Sequence, residues 1–308
     1  MLSSKKIAAF AAVYIIWGST YLAIRYAIET IPPFLMMGVR SVAAGLVLYL
    51  WSRRERAKIS REQWKSLILI AILFFVLGHG LLAWAQKRVA SGLAAVLIAS
   101  DPLWIALIES LTIKEFRLSR KQILGLVIGF GGMILMFIPA VDSSQVKLLD
   151  TTGAAVILVS AICWSIGAVY SRVAAMPKAA TLAAGIELIV GGLLLMAIAF
   201  ATGEFTDFYM NEISTRSILA FVYLVVFGSV ITFTAYVWLL QTTSATVVAT
   251  HTYVNPVIAL VLGTLVAGEQ FTLTMLIASA VIVVSVYLVL ETKSPDTGAL
   301  RRHPERSE

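Results

Sequence analysis

The sequence has little charge and almost no cysteine. Only 13% of its 308 residues are charged, whereas soluble domains carry ~25%. The single cysteine, Cys163, excludes a disulfide within the chain. There are three histidines and no His-Glu-x-x-His motif, so we expect no metal site and no other cofactor. This composition lies outside the usual range of soluble globular proteins.

Motifs of ATP hydrolysis and of common hydrolases are also missing. The chain has no Gly-x-x-x-x-Gly-Lys-Ser/Thr loop and no Gly-x-Ser-x-Gly elbow. Ser19 and Ser165 have no evident base beside them in the sequence. No catalytic residue is therefore predicted, and an intramembrane enzyme is kept only as an alternative. A membrane sensor or scaffold is a second alternative, although we recognise no soluble output domain.

Long apolar runs dominate what is present. Hydrophobic residues make up 59% of the chain and the mean hydropathy is +0.90. Runs of ~20 residues, each long enough to cross a ~30 Å hydrocarbon core, recur between short connections. They predict an all-α protein embedded in the lipid bilayer. The ten predicted spans are 6–27, 33–51, 66–86, 91–112, 122–140, 153–173, 179–201, 217–241, 244–267 and 271–290.

The distribution of Lys and Arg predicts the orientation. The formal net charge is +7, but the basic residues are spread over many connections, so no nucleic-acid partner is expected. With both termini cytoplasmic, 18 Lys and Arg lie inside and four outside. The positive-inside rule then predicts a multi-pass protein of the cell (inner) membrane with both termini in the cytoplasm. Residues 291–308 are predicted to form a disordered cytoplasmic tail.

The chain contains an internal repeat. Trp17 and Trp164 are 147 residues apart, and Pro102 and Pro256 are 154 apart. Each copy holds five predicted spans, and an odd number forces the second copy to enter from the opposite side. Such an inverted repeat is typical of secondary transporters. The predicted units are the first five-helix repeat at 1–140, a linker loop at 141–152 and the second five-helix repeat at 153–290.

Two equivalent Pro-containing pairs mark the fourth helix of each copy. Asp101-Pro102 and Asn255-Pro256 lie near the middle of their predicted spans. Proline removes a helical N–H, so both helices are expected to kink there and to act as hinges. In the alternative, the prolines merely bend helices to fit the bundle. In both cases Asp101 and Asn255 should face inward, and Asp101 is the candidate protonatable group for coupling.

Other polar and aromatic residues lie within spans. Tyr14, Trp17 and Tyr21 share one stripe of the first helix, which suits a cavity wall or, alternatively, plain aromatic packing. His79 and His251 are candidates for lining the cavity or for proton transfer, although a structural role explains His251 equally well.

Three further charged residues and one glycine stripe lie in predicted spans. Glu109 and Glu187 are close enough to helix ends that we expect both to reach water. Arg40 is expected to anchor helix ends through backbone carbonyls. The glycines at 125, 129 and 132 predict close helix packing, preferably within a monomer. A monomer or a weak homodimer is therefore expected.

Together these motifs resemble the EamA family of the drug/metabolite transporter superfamily, and they are most similar to its YedA-like members. They comprise Tyr14-Ile-Ile-Trp17-Gly-Ser-Thr-Tyr21, Pro32-Pro33 with Gly38-Val-Arg40, Trp164-Ser-Ile-Gly167 with Val169-Tyr-Ser-Arg172, Tyr253-Val-Asn-Pro256, Leu262-Gly-Thr and Gly268-Glu269. The resemblance covers nearly everything from residue 7 to 290.

The resemblance implies ten helices in two inverted five-helix repeats around a central cavity. It further implies export of small metabolites, amino acids or toxic compounds by alternating access. Coupling to protons and uncoupled transport both stay open, and aromatic or cationic solutes suit the wall. The substrate-binding residues that the resemblance implies are Trp17, Thr20, Tyr21, His79, Asp101, Trp164, Tyr236, His251, Tyr253 and Asn255. Asp101 departs from the uncharged residue expected before that proline.

Overall fold

The computed structural model describes residues 3–52, 58–86, 97–113, 116–137, 151–206, 208–267 and 273–290. The predicted tail 291–308 lies outside these ranges, as does the predicted linker up to residue 150. Every regular element within the described ranges is a helix, and none of these residues forms a strand.

The helices are labelled in chain order, with consecutive α- and π-helical stretches joined under one label. They are α1 (Ser4–Ala11, Ala12–Ile16 and Trp17–Ala27), α2 (Pro33–Trp51), α3 (Arg61–Ala71, Ile72–Gly80 and Leu81–Gln86), α4 (Asp101–Thr112), α5 (Arg120–Phe137), α6 (Thr151–Val173), α7 (Ala180–Ala201), α8 (Thr215–Tyr223, Leu224–Ile231 and Thr232–Thr242), α9 (Ala245–Ala249 and His251–Ala267) and α10 (Leu273–Leu290). The described parts of the predicted spans fall on these helices, apart from residues 97–100 of the fourth span and the single residues 179, 244 and 250.

Six of the helices are long and apolar enough to cross a membrane: α1, α2, α3, α6, α7 and α8. Many of their outward side chains are apolar, such as Trp51 (75% exposed) and Phe200 (77% exposed). A soluble protein would not present so many large apolar side chains to water. The chain is therefore a multi-pass membrane protein whose outer surface is suited to lipid.

Two helix pairs hold the repeats together, and each pair joins equivalent helices of the two copies. In α2 and α7, a Cβ added to Gly45 would lie 2.8 Å from the Gly185 carbonyl, and one added to Gly38 would lie 3.1 Å from the Gly192 carbonyl. Residue numbers rise along one helix as they fall along the other, so α2 and α7 are antiparallel. Glycine lets the two backbones approach this closely.

The second pair is α5 and α10. Gly125 lies opposite Ser285, and Gly132 lies opposite Ile282, so this pair is antiparallel too. The glycine stripe of α5 therefore packs within the chain, as predicted. Further contacts between the copies include a reciprocal set, in which α1 contacts α8 and α9 while α6 contacts α3 and α4.

Three helices contain π-helical stretches: Ala12–Ile16 in α1, Ile72–Gly80 in α3 and Leu224–Ile231 in α8. A π-helical stretch displaces carbonyls from their usual helical partners and is frequent at functional sites. Side chains bond to several of these carbonyls. For example, the Ser160 hydroxyl donates to the Gly78 carbonyl at 2.8 Å. The stretches of α1 and α8 contact each other.

Candidate functional site

The fourth helix of each copy is interrupted, but beside the proline rather than at it. In the first copy, residues 99 and 100 form a turn and α4 starts at Asp101, so Pro102 lies in its first turn. The first turn tolerates proline because its N–H groups have no helical acceptor. In the second copy the interruption is at Thr250, and Pro256 lies inside the continuous helix His251–Ala267. The hinge role of both prolines stays a prediction.

An aromatic cluster fills the centre. The rings of Trp17 and Trp164, equivalent residues of the two copies, are 6.4 Å apart between centroids. Tyr236 lies 5.1 Å from Trp17 and 5.7 Å from Trp164. Two histidines flank the tryptophans, since His251 is 4.9 Å from Trp17 and His79 is 4.9 Å from Trp164. We call these five residues the central cluster.

The indole of Trp17 has a hydrogen-bond partner beside the central cluster, whereas His79 Nδ1 has none. Trp17 Nε1 donates to the Gly228 carbonyl in the π-helical stretch of α8 at 2.9 Å. Buried Trp side chains usually find such a partner. The bond orients the Trp17 ring within the central cluster.

Asn255 joins α9 to the π-helical stretch of α1. In the amide orientation that matches donors to acceptors, its Nδ2 donates to the carbonyls of Tyr14 (3.0 Å), Val13 (3.3 Å) and His251 (3.0 Å). Its Oδ1 accepts from His251 Nδ1 at 3.3 Å. The Tyr14 hydroxyl and the Thr250 hydroxyl are 2.6 Å apart. Asn255 therefore supplies donors that the π-helical carbonyls require.

Asp101 occupies the equivalent position in the first copy, but its carboxyl is not satisfied in this way. The residue is 4% exposed, and its Oδ1 has no hydrogen-bond partner. Its carboxyl is close enough to Tyr236 and Tyr253 to interact with both hydroxyls electrostatically. As an ionised group it offers acceptors only, while the protonated form can donate as Asn255 does.

Glu187 on α7 was expected to reach water, and this expectation is wrong. The residue is 0% exposed, and neither carboxyl oxygen has a hydrogen-bond partner. It interacts electrostatically with Tyr236, as Asp101 does. The span pattern placed Glu187 near a helix end, but the neighbouring helices cover it. The centre thus holds two buried carboxyl groups with unpartnered oxygen atoms.

The expectation that Glu109 reaches water is also wrong, for a different reason. Glu109 is 0% exposed and forms a buried ion pair with Arg172 of α6. Its carboxylate also accepts from the amides of Ala245 (2.8 Å) and Thr246 (2.9 Å) and from the Thr246 hydroxyl (2.5 Å). This network ties α4, α6 and the start of α9 together at one end of the molecule.

Not every predicted site residue joins the centre. Tyr253 is fully buried against α5, where its hydroxyl donates to the Leu126 carbonyl at 3.1 Å. Thr20 is buried beside the cluster, and its hydroxyl donates to the Trp17 carbonyl at 2.7 Å. The side chain of Tyr21 lies outside the described part of the chain.

Two residues of the centre were not predicted as part of the site. Phe74 lies 4.4 Å from the ring of Trp164, and no sequence signal distinguishes it within its apolar run. Arg40 was expected to bond backbone carbonyls, but its Nε donates to the Ser229 hydroxyl of α8 at 2.8 Å. Its charge inside a predicted span was a signal, because ionisable residues within spans mark solute pathways.

The described residues contain no group of three or more His, Cys, Asp or Glu placed to hold a metal ion. A cavity of about 350 Å³ lies at one end of the molecule, between residues 28–32 and Glu212. It is remote from the central cluster, whose own side chains pack against one another.

Comparison with known proteins agrees with these features. The model of the EamA-like transporter family matches residues 4–138 and 151–291. The uncharacterized inner membrane transporter YedA of Escherichia coli (strain K12) is 34% identical over 285 residues, which cover 91% of this chain and 89% of YedA. The uncharacterized transporter YoaV of Bacillus subtilis (strain 168) is 25% identical, covering 90% of this chain and 94% of YoaV.

A solved crystal structure has the same fold. It superposes with a TM-score of 0.76 at 20% sequence identity, covering 93% of this chain and 97% of that chain. The family model and the identity to YedA confirm the resemblance to the EamA family and its YedA-like members that the motifs indicated.

Proposed function

The chain belongs to the EamA-like transporter family, and from that membership we propose that it exports small metabolites, amino acids or amphipathic and toxic compounds across the cytoplasmic membrane by alternating access. Multi-pass insertion in the inner membrane follows from the apolar helices and from the likeness to YedA. Family membership points to transport and away from catalysis. The sensor or scaffold alternative has no specific observation in its favour.

The proposed architecture is ten membrane-spanning helices in two inverted repeats, 1–140 and 153–290. Equivalent helices of the two copies are antiparallel in the two largest pairs, α2 with α7 and α5 with α10. Repeats related by an axis along the membrane normal would place equivalent helices parallel, so the antiparallel pairs support the inverted arrangement. The orientation with both termini cytoplasmic rests on the Lys and Arg distribution.

The observation that carries the proposal is the composition of the centre. Aromatic rings from both copies meet there beside Asp101 and Glu187, two buried carboxyl groups with unpartnered oxygen atoms. Buried carboxyl groups without partners are costly, and a transport site supplies a reason to retain them. Rocking of one copy against the other would separate the two tryptophans and open the centre to one side.

Asp101 is the proposed coupling group. Its counterpart Asn255 is a permanent donor, whereas Asp101 becomes a donor only when protonated. Exchange of a proton for the solute at Asp101 would therefore alter contacts at the start of α4. A cationic or aromatic solute suits a carboxylate beside aromatic faces.

Uptake into everted vesicles tests the proposal. Aromatic amino acids and cationic drugs are offered with and without a proton gradient. Vesicles containing the protein should accumulate at least one solute above empty vesicles. The Asp101→Asn variant should lose the response to the gradient, while the Gly131→Ala control should keep it, because a methyl group there meets open space. Full transport with an unchanged gradient response in Asp101→Asn would refute the coupling role.

A further inference from the structure

Arg40 is the one buried guanidinium of the described chain without a carboxylate partner. The residue is 8% exposed and lies seven residues, roughly 10 Å, along α2 from its start at Pro33. The other buried arginine, Arg172, is paired with Glu109. The charge of Arg172 is thus balanced inside the protein, and that of Arg40 is not.

The hydrogen bonds of Arg40 use only part of its capacity. Nε donates to the Ser229 hydroxyl at 2.8 Å, and Nη1 donates to the Met37 sulfur, a weak acceptor, at 3.7 Å. A guanidinium has five N–H donors. No oxygen among the described residues accepts from the two terminal nitrogens, although both can bind a carboxylate in parallel.

His79 lies close enough to Arg40 for the two side chains to interact electrostatically. Its Nδ1 is buried without a hydrogen-bond partner. The other face of this region is aromatic, because the His79 ring is 4.9 Å from that of Trp164. The Arg40 guanidinium, which has N–H donors without acceptors, therefore adjoins the central cluster at His79.

The repeat does not reproduce this set, which combines Arg40 and His79 of the first copy with Ser229 of the second. The positions equivalent to Arg40, Ser229 and His79 hold Glu187, Phe75 and Phe233, respectively, at offsets of 147, 154 and 154 residues. Phe75 and Phe233 pack ring to ring at 5.4 Å. Ser229 and His79 are thus polar where their equivalents are aromatic, and the charge of Arg40 has the opposite sign at Glu187.

Gly228 makes room for the guanidinium. A Cβ at this position would lie 3.2 Å from Arg40 Nη2 and 3.1 Å from Thr20 Cγ2. The absence of a side chain there leaves the terminal nitrogens against the π-helical stretch of α8, and the Ser229 hydroxyl holds Nε beside it.

We infer that Arg40, oriented by Ser229 and adjoined by His79, is a subsite for the carboxylate of the transported solute, whose apolar part lies on the central cluster. This inference rests on the proposed transport function and names the substrate class. One guanidinium matches the single charge of a carboxylate. A phosphate dianion would require more positive charge than the described residues offer at this place.

Binding to the protein in nanodiscs tests the subsite with 3-phenylpropionate and its methyl ester, measured by isothermal titration calorimetry. The wild type should bind the acid roughly tenfold or more tightly than the ester, as expected for charge-assisted hydrogen bonds. Arg40→Gln should remove this preference and leave ester affinity unchanged. Arg40→Lys should keep part of it, because lysine retains the charge but not the planar fork. Arg216→Gln, at an exposed arginine, is the matched control and should behave as the wild type.

Equal wild-type affinity for acid and ester overturns the subsite, as does an equal loss of both in Arg40→Gln. If Arg40→Gln elutes as an aggregate, Arg40→Lys decides: weaker binding of the acid alone supports the subsite, and unchanged acid binding overturns it. Failure of the two proposals is distinguishable. An acid preference that depends on Arg40 without any vesicle transport refutes only the transport function, whereas transport without the preference refutes only the subsite.

Discussion

Replacing Glu109 by glutamine is expected to be the most destabilising conservative change in the described chain. The Glu109 carboxylate is fully buried, and all of its partners are donors: Arg172, the amides of Ala245 and Thr246, and the Thr246 hydroxyl. Glutamine has nearly the same shape but turns an NH₂ group toward these donors. It also leaves the Arg172 guanidinium buried without a counter-charge.

The expected loss is ~3–5 kcal/mol of the free energy of unfolding, the range for removing one partner of a buried ion pair. Arg172→Met should cost a similar amount, because it leaves the carboxylate unbalanced. The double variant Glu109→Gln, Arg172→Met should cost less than the sum of the single changes, since neither charge then remains alone.

Unfolding by sodium dodecyl sulfate in mixed micelles, followed by circular dichroism, measures these differences. The chain supplies a matched control in the ion pair of Arg216 and Glu29, whose side chains are 57% and 42% exposed. Arg216→Gln should change stability by no more than ~1 kcal/mol, because exposed pairs are screened by solvent. If Glu109→Gln unfolds at the same detergent fraction as Arg216→Gln, the buried network does not hold α4, α6 and α9 together.

Two further changes test the helix packing and the π-helical stretch of α1. Gly129→Ala should destabilise the protein by ~1–3 kcal/mol, because the added Cβ would lie 2.5 Å from the Tyr253 ring. Gly131→Ala on the same helix is the control: its Cβ meets open space, so this change should stabilise the protein slightly. Equal unfolding midpoints of the two variants would contradict the close packing of α5 on α9 and α10. Asn255→Leu should lower the free energy of unfolding by ~1–3 kcal/mol, because it leaves buried carbonyls such as that of Tyr14 without a donor. An unchanged unfolding midpoint would show that the Asn255 amide is not needed there.

The helix positions were readable from the sequence because membrane insertion depends on local hydropathy. The predicted span 33–51 coincides with α2, and the span 153–173 begins two residues after the start of α6. In the fourth span, the helical residues 97–98 are followed by a turn at 99–100 and by the helix that starts at Asp101. The prolines indicated an interruption there, but the helices are interrupted beside the prolines. At those points, turns and side-chain hydrogen bonds satisfy the backbone polar groups.

The centre was predictable in part. Trp17 and Trp164 are equivalent in the repeat, and they do face each other. Tyr253 carries an equally suggestive motif but is committed to packing on α5. A tyrosine in a span fits a cavity wall and a helix contact equally well, and only the neighbouring helix distinguishes the two.

The helical character, the apolar composition and the internal repeat are readable without coordinates, because hydropathy and repeats are properties of residues in their order along the chain. Tertiary structure alone decided which charges are balanced. Glu109 and Glu187 gave the same expectation of contact with water, yet one is bonded to Arg172 and the other has no partner. Pairing depends on distances between helices far apart in the sequence, and the packing of those helices sets these distances.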